Sequence, residues 1–416
     1  MRRQALGLLA AAHLAGLCAC GSGASIGKGN YGWVGVGNQG SVPEGKGALR
    51  VHWTRQLTQP ARGAYRPVEN AVAAIDNQHA RIYVGAESGN LHAMGFDGRA
   101  LYRFELHEPI ECEPALDPVK QELYVGTERG EFYAIAAEKG GILWKKEGDA
   151  AIRQRPVLLP DAVIVITEED AIEAYARADG KMLWRYAREP QEGFLVAGHS
   201  GMTLTEDNRL LAGFNDGLVV SLDALDGTVK WERNTSLEVP ETEPGRPRYI
   251  DVDTTPAIIG EQVFVASFGG GLYALDLNNG SVLWREPDWT GITSLVATPD
   301  DALILVSADR GVVRFDVNQR AAVWQKSLER GSFGVPELFQ GMVLIGDSRG
   351  SLVALDTLTG DELGRIDSGH GFVARANLQE DGRGFVVTNG GVLLGMRVVN
   401  PIGTPVPDPV ASSVPD

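Results

Sequence analysis

Two short segments of this chain have the spacing of catalytic motifs, and both occur in an unsuitable context. GDSRG, from Gly346, has the G-x-S-x-G spacing of a nucleophilic serine, which must lie on a sharp turn from a strand to a helix. Ser348 instead separates two strand-like apolar runs, so we interpret it as a hairpin residue. GKGNYG from Gly27 and GVGNQG from Gly35 match a dinucleotide-binding loop, but no strand pattern precedes them and no helix pattern follows. We therefore predict no catalytic residue.

The residues that could bind a metal ion are dispersed along the chain. Its seven histidines include no close pair at ligand spacing. Glu168, Glu169 and Asp170 are adjacent carboxylates, but they fall in a turn between two apolar runs. A solvated acidic turn explains them more simply than a calcium site does. We predict no metal and no cofactor.

The N-terminal residues have the pattern of an export signal. Arg2 and Arg3 precede an apolar run that is too short to span a bilayer. The run ends in LCAC, which resembles the lipobox of bacterial lipoproteins. The resemblance implies that residues 1–19 are removed and that Cys20 is lipidated, and Gly21 after it favours the outer membrane, with the protein facing the periplasm. The alternative is an ordinary signal peptide that leaves Cys20 free.

Cysteine content and charge limit the remaining possibilities. If Cys18 is removed and Cys20 is lipidated, Cys112 is the one cysteine left, so no disulfide can form within the mature chain. We expect Cys112 to be a small core residue. The formal net charge of −16 argues against nucleic acid as a partner, because phosphates require a basic surface.

Composition divides the chain into a folded part and two terminal segments. Residues 21–47 contain ten glycines and no apolar periodicity, so we predict a flexible linker over residues 20–47 that reaches roughly 30 Å. Residues 400–416 form a Pro-rich tail that lacks core-forming residues. The folded domain is predicted over residues 48–399.

One pattern recurs about every 40 residues in the folded part. GGLYALDLNNGSVLW, from Gly270, shows it most fully, with an alternating strand, a D-x-x-x-G turn and a strand that carries a tryptophan. A third strand precedes these two, and a fourth one before it often contains proline, as at Pro114, Pro156, Pro256 and Pro336. The aromatic slot is occupied by Trp53, Tyr102, Trp144, Trp184, Trp231, Trp284 and Trp324, and an eighth slot falls at Gly364. Four strands per unit of this length indicate a blade of a β-propeller.

The two ends of the repeated region complement each other. The last unit, residues 384–399, has no tryptophan strand of its own, whereas LRVHWTRQL, from Leu49, is a tryptophan strand without a blade. Pairing them closes the ring and removes exposed sheet edges. We therefore predict an all-β, eight-bladed β-propeller of four-stranded antiparallel blades whose last blade is closed by an N-terminal strand. Seven blades are the alternative.

The repeated unit resembles that of the bacterial pyrroloquinoline quinone (PQQ) propeller superfamily, G-x-L-x-A-L-D-x-x-x-G-x-x-x-W, most clearly from Gly270 to Trp284. The resemblance implies that the aromatic slot residues pack between neighbouring blades, in members with and without quinone. Quinone-dependent dehydrogenases of the superfamily typically add a vicinal Cys-Cys pair and a calcium-ligating set. Cys112 has no cysteine neighbour. A PQQ-dependent dehydrogenase and a periplasmic ligand-binding propeller are the alternatives to a non-enzymatic scaffold.

An acidic propeller with a lipobox and no recognisable chemistry resembles the BamB family of outer-membrane assembly factors. The resemblance covers nearly the whole chain and is strongest from Ile250 to Trp284, where DVDTTP opens a blade. It implies a non-enzymatic scaffold lipoprotein of the outer-membrane β-barrel assembly (BAM) machinery that docks on the BamA insertase, with nascent outer-membrane proteins as possible further partners. Asp251 and Asp253 would contribute to the docking surface. The alternative is that both aspartates cap strand ends or accept hydrogen bonds from turn amides.

The same resemblance implies a second docking element in GFLVAGHS, from Gly193, where Phe194 and Val196 would supply apolar contacts. The arginine of the family aligns with Ala197 here, and Arg246 and Arg248 could compensate for it. Both docking elements lie in the connections that lengthen the repeat to 47 and 53 residues. Long connections on a rigid scaffold commonly carry binding surfaces.

Overall fold

Eight antiparallel sheets form the ring of a β-propeller in this computed structural model, which describes residues 43, 45–58, 70–188, 200–238, 249–327 and 331–399. The eight-bladed propeller is confirmed, and the seven-bladed alternative is wrong. Within each blade the strands follow one another from the centre of the ring to its rim. Among the described residues the helical structure is a single 3-10 turn, Ser236–Glu238, and no helix there is long and apolar enough to cross a bilayer.

The first four blades use sixteen consecutive strands. Their bounds are β3 (Ala74–Asp76), β4 (Arg81–Val84), β5 (Asn90–Gly95) and β6 (Ala100–Glu105) in blade 1; β7 (Ala115–Asp117), β8 (Glu122–Gly126), β9 (Phe132–Ala136) and β10 (Gly141–Lys146) in blade 2; β11 (Val157–Leu158), β12 (Ala162–Thr167), β13 (Ala171–Ala176) and β14 (Met182–Ala187) in blade 3; and β15 (Thr203–Leu204), β16 (Arg209–Gly213), β17 (Leu218–Asp223) and β18 (Val229–Asn234) in blade 4.

The remaining blades follow the same order until the ring closes. Their bounds are β19 (Ala257–Ile259), β20 (Gln262–Ser267), β21 (Gly271–Asp276) and β22 (Val282–Glu286) in blade 5; β23 (Ile292–Ala297), β24 (Ala302–Ser307), β25 (Gly311–Asp316) and β26 (Ala321–Lys326) in blade 6; β27 (Glu337–Phe339), β28 (Met342–Gly346), β29 (Ser351–Asp356) and β30 (Glu362–Asp367) in blade 7; and β31 (Asn377–Leu378), β32 (Arg383–Val387), β33 (Val392–Val398) and the N-terminal β2 (Leu49–Gln56) in blade 8.

Burial along the strands explains their sequence patterns. The second strands β12 and β24 are buried throughout, because neighbouring blades cover both of their faces, and they therefore read as continuous apolar runs. The outer strand β14 alternates between exposed and half-buried residues. The four prolines predicted inside the first strands lie instead just before β7, β11, β19 and β27, since proline has no N–H to donate to a ladder.

Each interface between neighbouring blades contains its own apolar cluster, and seven of the eight include an aromatic slot residue. For six of these seven residues, the partner across the interface is a glycine in the turn between the third and fourth strands of the next blade. A Cβ atom built on Gly280 would lie 2.4 Å from Cε3 of Trp231, and one on Gly180 would lie 2.8 Å from Cδ2 of Trp144. The absence of a side chain at these glycines therefore leaves space for the indole ring of the neighbouring blade.

Hydrogen bonds also hold the aromatic side chains of the slot residues in position. Five slot residues of the described chain donate to a backbone carbonyl of the next blade: Trp53 to Phe96 (2.8 Å), Tyr102 to Ala137 (2.5 Å), Trp144 to Arg177 (2.7 Å), Trp231 to Leu277 (2.9 Å) and Trp324 to Thr357 (3.0 Å). Trp284 differs, because Arg320 replaces the turn glycine and its guanidinium carbon lies 5.2 Å from the centre of the indole. These contacts place the slot residues between blades.

The interface between blades 7 and 8 uses a different device at the eighth slot, Gly364. Strand β1 (Lys46–Gly47) pairs with the outer edge of β30 and makes blade 7 five-stranded. A Cβ atom on Gly364 would lie 2.6 Å from both the Ala48 nitrogen and the Lys46 oxygen. The N-terminal segment thus occupies the space of the missing tryptophan, and strand pairing begins two residues before the predicted domain boundary at residue 48.

Candidate functional site

The DVDTTP segment lies between blades 4 and 5 on one face of the ring. We call this the connection face, because it carries the connections from each outer strand to the next inner strand and the turns between second and third strands. The opposite face carries the remaining turns. Residues 59–69, 189–199, 239–248 and 328–330, which lie outside the described residues, each belong in sequence to a connection of the first kind.

Val252 anchors the segment to blade 4. Its side chain is fully buried in the apolar cluster between blades 4 and 5, and its N–H donates to the Phe214 carbonyl at 3.1 Å. A Cβ atom on Gly213 would lie 2.4 Å from the Val252 oxygen, so only glycine permits this approach. On the blade 5 side, the N–H of Phe268 donates to the Asp251 carbonyl at 3.0 Å. The backbone of the segment is therefore held from both blades.

The threonines and proline of the segment extend these contacts. Thr254 is 1% exposed, and its hydroxyl oxygen accepts the Ala266 N–H at 2.9 Å. Thr255 accepts the N–H of Gly201 at 3.0 Å, and the Thr203 hydroxyl donates to the carbonyl of Pro256 at 2.6 Å. The TTP part therefore connects blade 4 to blade 5 and positions the start of β19.

The two aspartates differ in exposure. Asp251 is 1% exposed, so its side chain offers almost no surface to a partner. Asp253 is half-buried, and its Oδ1 atom is buried. Of the two aspartates implied by the family resemblance, Asp253 is therefore the more exposed one.

Exposed apolar side chains lie beside the segment. Leu237 is 81% exposed and Tyr249 is 38% exposed, and the Tyr249 ring packs edge-on against Phe268 with the ring centres 5.8 Å apart. A Cβ atom on Gly217 would lie 3.0 Å from both the Ser236 Cβ and the Ile250 oxygen, so the chain on both sides of residues 239–248 converges there. Leu237 and Tyr249 were not predicted from the sequence, although their position beside the longest insertion indicated them.

The second predicted docking element meets the first one at Ser200. Phe194 and Val196 lie outside the described residues, as do Arg246, Arg248 and Cys20. Ser200, the last residue of GFLVAGHS, is buried; its hydroxyl lies 2.7 Å from the Gly201 carbonyl and 3.1 Å from the Thr254 carbonyl, which share its proton, and it accepts the N–H of Gly213 at 3.2 Å. The two elements, more than 50 residues apart in sequence, are thus in direct contact at their described ends.

Blade 4 also holds the start of that second connection. Arg188, the last described residue before it, forms an ion pair with Asp216 at 2.8 Å, and this carboxylate raises the pKa of Arg188. Asp216 is 8% exposed and lies in the turn between β16 and β17. Both ends of the segment from Arg188 to Ser200 are therefore attached to blade 4.

The residues that the sequence offered as candidates for catalysis or metal binding make contacts that stabilise the fold. Ser348 lies in the turn between β28 and β29, and its hydroxyl oxygen accepts the N–H of Ser332 at 2.9 Å. Glu168 pairs with Arg153 at 3.1 Å, which also contacts Glu128 at 2.6 Å. Cys112 is buried, as predicted, and burial raises the pKa of its thiol to about 12. The thiol thus stays protonated and unreactive.

Sequence comparison identifies related proteins. A family model described as "Outer membrane protein assembly factor BamB" matches residues 97–326 and 309–400. The protein of that name from Shewanella oneidensis is 28% identical over 59% of this chain, and the match spans 61% of the Shewanella protein, less than two thirds of its length. The one from Burkholderia pseudomallei is 26% identical over 83% of this chain and 87% of its own length.

Structure comparison agrees with the sequence matches. The crystal structure of BamB from Moraxella catarrhalis superposes with a TM-score of 0.69 and covers 84% of this chain and 99% of that one. Its sequence identity is 21%, so this match shows the common fold alone.

Proposed function

This chain belongs to the family of the outer membrane protein assembly factor BamB, and from that premise we propose that it is a non-enzymatic scaffold of the β-barrel assembly machinery that docks on a BamA-type insertase. Nascent outer-membrane proteins are possible further partners. The proposal includes a lipid anchor at Cys20 that holds the propeller at the periplasmic side of the outer membrane. The docking surface is the part of the connection face formed by Leu237, Tyr249, Asp253 and Thr255, and the buried Ser200, Val252 and Thr254 hold it in place.

The observation that carries this proposal is the contact between Ser200 and Thr254. The hydroxyl of Ser200 lies 3.1 Å from the Thr254 carbonyl, and the N–H of Gly201 donates to Thr255 at 3.0 Å, so the ends of two lengthened connections are joined. Two long connections that are joined on a rigid ring provide a continuous surface for a partner. The connection from β2 to β3 is also long, but it lies between blades 8 and 1, away from this pair.

The residues of this surface have different roles. Asp253 supplies a half-buried carboxylate, and Leu237 and Tyr249 supply apolar area. A partner that fits them presents an apolar patch with a basic residue beside it. Asp251 is a positioning residue, because its buried side chain and its backbone carbonyl, bonded to Phe268, hold the segment in place.

The test is reversal of the charge at Asp253. Asp253→Lys should weaken co-purification with the insertase at least tenfold, equivalent to about 1.4 kcal/mol, because it places a cation where the partner offers one. The matched control is Asp161→Lys, an equal charge change at an exposed aspartate in the turn between β11 and β12 on the opposite face. Both variants should keep the circular dichroism spectrum and melting temperature of the unmodified protein.

Two results would count against the surface. If Asp253→Lys co-purifies with the insertase as well as Asp161→Lys does, Asp253 is outside the interface. If Leu237→Ala and Tyr249→Ala also leave binding unchanged, the docking site lies elsewhere on the ring. Asp251→Asn is a poor test by itself, since a change at a buried residue is expected to lower stability and binding together.

A further inference from the structure

A polar cavity of about 310 Å³ lies at the centre of the ring, beside the inner strands of blades 8, 1 and 2. Its lining includes Glu113 and Arg155, which precede inner strands, as well as Asn77 and Pro118 in the turns that follow them, so the cavity extends along the inner strands. The side chains that matter for its chemistry are Glu113, Arg155, Asn377 and Gln379. Its volume is at the lower end of the range of small-molecule sites.

An ionic network holds one of the side chains that line the cavity. Arg375 from blade 8 contacts Glu113 of blade 2 at 2.5 Å, and it also pairs with Glu337 of blade 7. Asn377 donates to the carbonyl of Ala73 in blade 1 at 2.9 Å and to Glu113 at 3.4 Å. Glu113 and Asn377, two polar side chains of the cavity lining, are therefore fixed in position.

Gln379 carries a hydrogen-bond donor with no partner. The side chain is 8% exposed, and its Nε2 atom is buried without an acceptor among the residues that the structure describes. A buried donor that is left unsatisfied is unfavourable, and native structures seldom retain one without a ligand, a water molecule or a functional reason. An acceptor atom in the cavity would satisfy it.

Arg155 supplies positive charge at the same cavity. Its one ion pair in the described structure is a long one, with Nε 3.6 Å from Oε1 of Glu113, and 57% of its side chain is exposed. Glu113 is already engaged by Arg375, so most of the N–H groups of Arg155 are available to a bound group. The guanidinium of Arg155 and the side-chain N–H of Gln379, which line the same cavity, are both donors suited to carboxylate oxygens.

We propose that this cavity binds a small free carboxylate whose oxygens accept hydrogen bonds from Gln379 Nε2 and the Arg155 guanidinium. The site is separate from the docking surface, because its lining comes from blades 8, 1, 2 and 3 and the docking surface from blades 4 and 5.

The test uses succinate as the probe and the full mature protein, with isothermal titration calorimetry as the readout. Saturable binding of one succinate per chain is expected, whereas succinamide, which has the same shape and no charge, should not bind. Arg155→Ala and Gln379→Leu should each weaken succinate binding at least tenfold. Arg349→Ala is the matched control, since it removes an exposed arginine on the connection face and should leave binding unchanged.

A second measurement avoids dependence on the stability of the variants. The side-chain amide NMR signals of Gln379, assigned by their loss in Gln379→Leu, should shift in the unmodified protein as succinate is added. The proposal is overturned if the unmodified protein shows no saturable heat and no shift of these signals, which would mean that water alone satisfies the donor. The proposal is also overturned if Arg155→Ala and Gln379→Leu bind succinate as tightly as the unmodified protein does.

Discussion

Replacing Gly280 by alanine tests whether the aromatic ring of each blade needs the glycine of the next. Gly280 ends the D-x-x-x-G turn of blade 5 with a φ of 68°, and the Trp231 indole of blade 4 lies where its side chain would be. The added Cβ atom would meet Cε3 of the indole at 2.4 Å, a distance at which one of the two must move. Trp231 has little freedom to do so, because its N–H is bonded to the Leu277 carbonyl at 2.9 Å.

The expected cost has two parts. A left-handed backbone costs a non-glycine residue about 1–2 kcal/mol. Forcing an extra carbon into a packed interface costs about 1–3 kcal/mol more. Gly280→Ala should therefore lower the free energy of unfolding by about 2–5 kcal/mol, from both the backbone and the blade interface.

Gly260 in the same blade provides the matched control. It lies in the turn between β19 and β20 with a φ of 57°, and a Cβ atom there would have nothing within 4 Å. Gly260→Ala should therefore cost only the backbone part, about 1–2 kcal/mol. Equilibrium unfolding in urea, followed by tryptophan fluorescence, measures both variants against the unmodified protein.

The difference between the two variants is the quantity that decides the matter. A gap of about 1–3 kcal/mol would measure the steric demand of the indole alone, since the backbone part is shared. Equal destabilisation by Gly260→Ala and Gly280→Ala would refute the reasoning, because the turn glycine would then be required only for its backbone conformation.

Two further predictions concern ring closure and acid stability. Gly364→Trp places the tryptophan of the repeat in the eighth slot, where its Cβ would lie 2.6 Å from the Lys46 oxygen, so β1 should detach from β30. Trypsin should then cut after Lys46, and continued protection of that bond would contradict the assigned role of β1. Burial, with a smaller contribution from Arg103, lowers the pKa of His92 to about 4, so the unfolded chain takes up this proton near pH 6.5 and the folded one only near pH 4. This contribution of His92 to the free energy of unfolding is present above pH 6.5 and is lost as the pH falls towards 4. In urea unfolding, the free energy of unfolding of His92→Gln should depend less on pH in this window, and the same pH dependence as in the unmodified protein would disprove the prediction.

The propeller could be predicted because its signals are local. Alternating apolar residues, a glycine turn and a tryptophan recur within each unit, so one unit such as Gly270–Trp284 already specifies two strands and their turn. Ring closure followed from two incomplete units at the chain ends, and β2 pairs with β33 as that argument required. The eighth slot at Gly364 was visible as a departure from the pattern, whereas its cause was not, because a two-residue strand such as Lys46–Gly47 carries no periodicity.

The candidate docking surface could be located from the sequence but not described. The lengthened connections identified blade 4, whereas the difference between Asp251 and Asp253 depends on residues far away in sequence. Phe214 and Phe268, on two different blades, bond the backbone around Asp251, whose side chain is buried. The contact of Ser200 with Thr254 is likewise a tertiary one. No spacing in the sequence specifies these contacts.

The two proposed sites are arranged so that each can be occupied without the other. The docking surface lies on the connection face at blades 4 and 5, and the cavity lies beside the inner strands of blades 8, 1 and 2. Arg375 and its two glutamates, Glu113 of the cavity lining and Glu337, come from blades other than 4 or 5. Coupling between two sites requires an element with two arrangements that both ligands bias. A ring in which every blade is fixed to the next by a packed apolar interface lacks such freedom between blades, so a bound carboxylate should leave docking unaffected, and the regular repeat is what keeps the two functions independent.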